Sequence, residues 1–124
     1  MKKLLPYLLV ALLLALSVVG TAVSPVFAHA ALVRTDPPDN AILDESPEEM
    51  RLWFNEAINA DFSTFKMLDL SGETVKLTSI RRDDADPKLI ILGLPELNEG
   101  VYSVHWHVLS AIDGHETQGF VVFG

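Results

Sequence analysis

The sequence predicts an all-β domain, a sandwich or barrel of about seven short strands, preceded by a cleaved leader. Three observations predict it. Clusters of Pro, Gly, Asp, Asn and Ser recur roughly every ten residues beyond the leader. Between them lie short runs rich in Val, Ile, Phe and Trp. Val101 to Leu109 alternates with the two-residue period of a half-buried strand.

The leader stands apart from this pattern. Lys2 and Lys3 form a basic start, and Leu4 to Val19 is almost wholly apolar. Gly20 and Ser24-Pro25 break any helix, and Val26-Phe27-Ala28 is a small-residue cleavage site. The apolar run is short for a bilayer span of about 20 residues. Residues 1–28 therefore read as a signal peptide and 29–124 as one domain, secreted to a periplasm or the cell exterior. Removing 28 of the 124 residues leaves 96, enough for one modest core. Losing Lys2 and Lys3 takes the formal net charge from −8 to −10. That charge excludes nucleic acid and anionic membrane surfaces as partners and favours a cation. The chain has no Cys, which excludes a lipid-anchored Cys, a disulfide, a thiolate ligand and a Cys nucleophile. Ala28-His29-Ala30 also has cleavage-site character, and residue rules alone do not choose between cutting after Ala28 and after Ala30.

In order, Ala31 to Thr35 is a strand, closed by the turn cluster Asp36-Pro37-Pro38-Asp39-Asn40. Ser46-Pro47-Glu48-Glu49 has helix-cap character but runs straight into β-forming residues, so it is a turn. Met50 to Phe54 is a strand ending at Asn55-Glu56. Phe62 to Leu70 follows, with a turn at Ser71-Gly72, then Thr74 to Ile80. An acidic loop at Asp83-Asp84-Ala85-Asp86-Pro87 leads to the apolar Lys88 to Leu94. The acidic loop lacks the spacing and Gly of a calcium loop and reads as solvated charge. In Val101 to Leu109, Tyr102, Val104, Trp106 and Val108 share the core face, while Ser103, His105, His107 and Leu109 point away. Gly119 to Phe123 is the last strand. The large aromatic residues fill the sandwich or cover its faces.

The chemistry lies in the histidines. His29 would head the mature chain if cleavage follows Ala28. Its free α-amine and ring Nδ1 would then chelate one metal ion, the amine giving up its proton to a strong Lewis acid. Asp113 and His115 flank Gly114, so one turn can aim both at the same point. Amine, two imidazoles and a carboxylate make a square N,N,N,O set suited to Cu(II). Taken singly, an N-terminal His and an Asp-Gly-His turn are common features. No Gly-rich phosphate loop and no Ser-His-acid motif is present, so hydrolase chemistry has no support.

Several motifs together resemble the CopC family of periplasmic copper-resistance proteins. They are Ala28-His29-Ala30, Asp36-Pro37-Pro38-Asp39-Asn40-Ala41, Leu52-Trp53-Phe54-Asn55-Glu56, Gly100 to Val108, and Ser110-Ala111-Ile112-Asp113-Gly114-His115 with the strand from Gly119. The resemblance runs through the whole of 29–124. It implies an immunoglobulin-like Greek-key β-sandwich with a Cu(II) site near one end, one ion per chain. It implies His29, Asp113 and His115 as ligands, cleavage after Ala28, and a membrane copper transporter as partner. It implies copper resistance, storage or delivery rather than an enzyme. The alternatives are a histidine-brace copper oxidase or monooxygenase, which needs an open copper position, and a metal-free immunoglobulin-like interaction module.

The resemblance also places Glu56 near the copper, as an additional oxygen ligand or a support behind the ligands. A solvated carboxylate at a strand end is the plain alternative. Two departures stand out. The Met-rich loop that binds Cu(I) in some members is missing, since Met50 and Met67 sit on predicted strands; a Cu(I) site is not expected. His107 replaces the family's usual Arg or Lys, giving a His-x-His pair with His105. The pair has metal-binding spacing, although two partly exposed sheet residues is the reading favoured here.

Overall fold

A computed structural model of the chain describes residues 29–124, with Leu4 and Tyr7; the rest of the leader and its expected cleavage after Ala28 lie outside the described residues. Among the described residues eight strands form: β1 (Leu32–Asp36), β2 (Glu49–Phe54), β3 (Thr64–Asp69), β4 (Thr74–Val75), β5 (Ser79–Arg82), β6 (Leu89–Gly93), β7 (Tyr102–Leu109) and β8 (Glu116–Phe123). A 3₁₀ turn, Ala60–Phe62, joins β2 to β3. One sheet has the order β1-β2-β6-β5 and the other β4-β3-β7-β8, with every pairing antiparallel. This is the immunoglobulin-type Greek key that the family resemblance implies, with the short β4 added at one edge.

The alternation of side chains explains the layers. Met50, Leu52 and Phe54 of β2 face Val104, Trp106 and Val108 of β7 across the sandwich, and all are buried. The residues between them turn outward: Arg34 lays its guanidinium 3.8 Å from the centre of the Trp53 ring, and His105 and His107 stand on the outer face of β7. Leu89 to Leu92 is buried without alternation; β6 lies inside its sheet between β2 and β5, and Ile90 and Leu92 are the residues of this run that join the core cluster. Trp106 meets Phe54 edge-on at 5.4 Å and lies against the β8 backbone at Gly119. A Cβ at Gly119 would come within 2.5 Å of that ring, so the position admits only glycine.

Three sequence expectations are corrected. Thr74 to Ile80 is two strands in different sheets, because Lys76–Thr78 carry the chain from one sheet to the other. Thr78 N–H already bonds the carbonyl of Gly93 on β6, in the sheet that β5 joins, at 2.9 Å. Phe62 belongs to the 3₁₀ turn and is exposed, not strand. The last strand starts at Glu116 rather than Gly119. Its first three residues are polar and lie on an edge strand, so burial leaves no mark on the sequence there.

Candidate metal centre

Three segments far apart in the chain meet at one end of the sandwich. They are the residues before β1, the Asn55-Glu56 step after β2, and the 110–115 loop joining β7 to β8. Ala30 is fully buried, and its carbonyl accepts a hydrogen bond from Thr117 Oγ1 on β8 at 2.6 Å. Ala31 N–H donates to Asn55 Oδ1 at 2.7 Å, and Asn55 N–H donates to the Ala31 carbonyl at 3.0 Å. These bonds fix the backbone that immediately follows His29.

The 110–115 loop is closed on itself and tied to the neighbouring sheet. Ser110 N–H bonds the His115 carbonyl at 2.9 Å, and Ala111 N–H bonds the Ala57 carbonyl at 2.8 Å. Gly114 has φ +70°, the left-handed region that glycine enters without a Cβ clash. Ser110 is buried, and its hydroxyl donates to Glu56 Oε2 at 2.7 Å. Ser110 Oγ in turn accepts the N–H groups of Ile112 at 3.1 Å and Asp113 at 3.3 Å. Glu56 therefore acts on the loop through Ser110.

The result is a convergence of His29, Asp113 and His115, whose ligand atoms all lie within 4.8 Å of one another. His115 Nδ1 is 3.2 Å from Asp113 Oδ2. The His29 and His115 rings meet edge to face at 4.7 Å. The Asp113 carboxyl is held below the usual carboxylate range, first by the His115 backbone N–H donating to Oδ1 at 3.0 Å. Partial burial works against that bond, and hydrogen bonds from the His115 side chain and from Ser110 reinforce it. An ionised carboxylate beside two imidazoles, all exposed, is a donor set that a divalent transition metal ion fits without rebuilding the loop.

The other sequence candidates lie elsewhere. His105 Nε2 is 3.0 Å from Ser103 Oγ, and its ring stacks on Phe120 at 5.6 Å. His107 Nε2 is 3.3 Å from Glu116 Oε2. Both stand on the outer face of the second sheet, outside the cluster. The acidic loop binds its own backbone: Asp83 Oδ2 accepts the N–H groups of Ala85 and Asp86, and Asp86 Oδ1 accepts that of Lys88. Met50 and Met67 are fully buried core residues. Sequence reasoning missed Asn55, Ser110 and Thr117. The first two sit inside motifs already singled out, but nothing local names their partners. Thr117 is 87 positions from Ala30, and only the fold brings them together.

The CopC domain model matches residues 32–124. The chain belongs to the CopC family. The match begins just past His29, so the placement of that residue rests on the geometry above. Among curated proteins similar to this chain, YobA of Escherichia coli K12 is 37% identical over 112 residues, covering 88% of this chain and 90% of YobA. Copper resistance protein C of Xanthomonas campestris pv. juglandis is 32% identical, covering 78% and 80%. The copper transport protein CutJ of Bacillus subtilis is 31% identical over 78% of this chain, but the match spans only 18% of CutJ. The crystal structure of CopC from Methylosinus trichosporium OB3b superposes with a TM-score of 0.72 at 30% identity, covering 77% of this chain and 91% of that one. PcoC from Escherichia coli, a methionine-rich copper resistance protein, gives a TM-score of 0.68 at 28% identity, covering 77% and 97%. The proteins of this group named for copper are named for resistance or transport, not for a catalysed reaction.

Proposed function

We propose that the mature chain begins at His29 and is a secreted Cu(II)-binding protein of the periplasm or cell exterior, holding one ion for resistance, storage or delivery. The α-amine and Nδ1 of His29, a carboxylate oxygen of Asp113 and an imidazole nitrogen of His115 are the ligands. The observation that carries this reading is the convergence of those three side chains at one exposed end of the sandwich. Membership of a family with copper-resistance proteins supplies the identity of the ion. Four protein donors would fill the plane that Cu(II) prefers and leave no equatorial position for oxygen, so the site captures and releases copper without turnover. The two buried methionines offer no thioether to a Cu(I) ion at the surface.

The position of Ala30 supports cleavage after Ala28. A cut after Ala30 would remove a fully buried residue and the carbonyl that Thr117 holds. Delivery to a membrane copper transporter is the partner reading, supported by the match to a small part of the much longer CutJ. Glu56 supports the loop from behind through Ser110. Native intact mass of the secreted protein, with and without one equivalent of Cu(II), tests the proposal. A mass starting at His29 and retaining one copper is expected. A mass starting at Ala31, or a His29 start that holds no copper, overturns it.

A further inference from the structure

The outer face of the second sheet carries chemistry that the first site does not use. Cross-strand register sets three rows there: Thr64, His107 and Gln118; Lys66, His105 and Phe120; and Leu109 beside Glu116. His105 and His107 are two residues apart on one strand, so their side chains rise from the same face about 6.6 Å apart along β7. Glu116 sits at the near corner with its carboxylate already against His107. The rings flank a shallow depression lined by Thr64, Lys66, Gln118 and Phe120. Each ring uses only Nε2 in the structure, and neither Nδ1 has a partner among the described residues.

We infer that His105, His107 and Glu116 form a second, weaker site for a divalent transition metal ion, Cu(II) before Zn(II), on the outer face of the second sheet. The two ring nitrogens point apart in the structure, His105 Nε2 to Ser103 and His107 Nε2 to Glu116, so both rings turn to meet at one ion, with the Glu116 carboxylate as the third donor of an N,N,O site. Imidazole nitrogen ranks Cu(II) above the other divalent ions. The contacts the rings make now are single surface interactions, with Ser103 and with Glu116, and such contacts cost little to exchange. Glu116 can ligate directly or hold the His107 ring in place from behind, as carboxylates do in metal-binding histidine pairs. Lys66 faces His105 from β3, and its positive charge is one reason the site is the weaker of the two. The site is independent of the first, since it shares no ligand with His29, Asp113 or His115.

Titration of the mature protein with Cu(II) against a competing chelator tests this. Wild type takes up two equivalents, the second far more weakly than the first. His105→Ala and His107→Ala each weaken the second equivalent by at least about 100-fold, beyond the 10–100-fold cost of losing an outer partner. Both leave the first equivalent unchanged. His115→Ala does the reverse, losing the first and keeping the second, so failure of either site is seen separately. Far-UV circular dichroism confirms that the variants fold, which exposed positions allow. A wild type that stops at one equivalent at high micromolar copper overturns the inference. So does a second equivalent that survives in the His105→Ala/His107→Ala double variant.

Discussion

The interior of the sandwich and the end that carries the candidate metal centre are built from different materials. The interior is held by apolar side chains at alternating positions: Met50, Leu52 and Phe54 against Val104, Trp106 and Val108. That end is held by directed hydrogen bonds: Thr117 and Asn55 side chains to the distant backbone at Ala30 and Ala31, the Ser110 hydroxyl to the Glu56 carboxylate, and Asp113 N–H to Ser110 Oγ within the loop. Ala30, Ile58 and Ser110 are buried there, and the candidate ligands themselves are exposed. Area burial therefore sets the stability of the fold, while directed polar contacts set the geometry of the ligands. Substitutions in the two regions should separate along the same line.

The largest effect is expected in the core. Trp106→Ala removes a ring that spans from Phe54 to Gly119 and should cost about 3–5 kcal/mol of stability. Thermal unfolding of the metal-free protein checks it, and an unchanged melting temperature would break the contrast. Next comes His115→Ala, which should weaken copper binding by at least about 100-fold, above the cost of losing a supporting partner. The metal-free melting temperature should hardly move, because His115 is exposed. A large loss of stability in that variant would show that the metal end also holds the fold.

Ser110→Ala sharpens the comparison at an intermediate size. It removes the hydroxyl that links Glu56 to the loop while leaving every ligand in place. Copper affinity should fall about 10–100-fold, as for other outer partners of metal ligands. Affinity equal to wild type would mean that Gly114 and the loop backbone suffice. The smallest effect concerns acid. Asp113 has a folded carboxyl below its ordinary value near 3.9, so folding favours its ionised form. Its contribution is present at neutral pH and is lost as pH falls through the lowered folded value. Wild type should therefore melt slightly above Asp113→Asn at pH 7, with the gap closing in acid. A gap that widens as pH falls would reverse the sign of this interaction.

The fold was legible because period-two burial writes itself into composition. The alternation in Val101 to Leu109 assigns its inner and outer faces correctly, and the turn clusters separate most strands. What escaped was the change of sheet inside Thr74 to Ile80 and the polar start of β8, where burial is low and no pattern is left. The residue types of the candidate centre were also visible: His29, and the Asp-Gly-His turn whose Gly114 takes the left-handed conformation.

The sequence by itself determined the class of fold, the core face of each long strand and the chemical types of the candidate ligands, since these depend on neighbours within a few residues. Only the tertiary structure decided that His29 stands beside a loop more than 80 positions away, and that Asn55, Glu56, Ser110 and Thr117 hold the two together. It also decided that His105 and His107 face outward beside Glu116. Hydrogen bonds across such separations depend on the register of strands from both sheets, and register is set by the packing of the whole core rather than by any local run of residues.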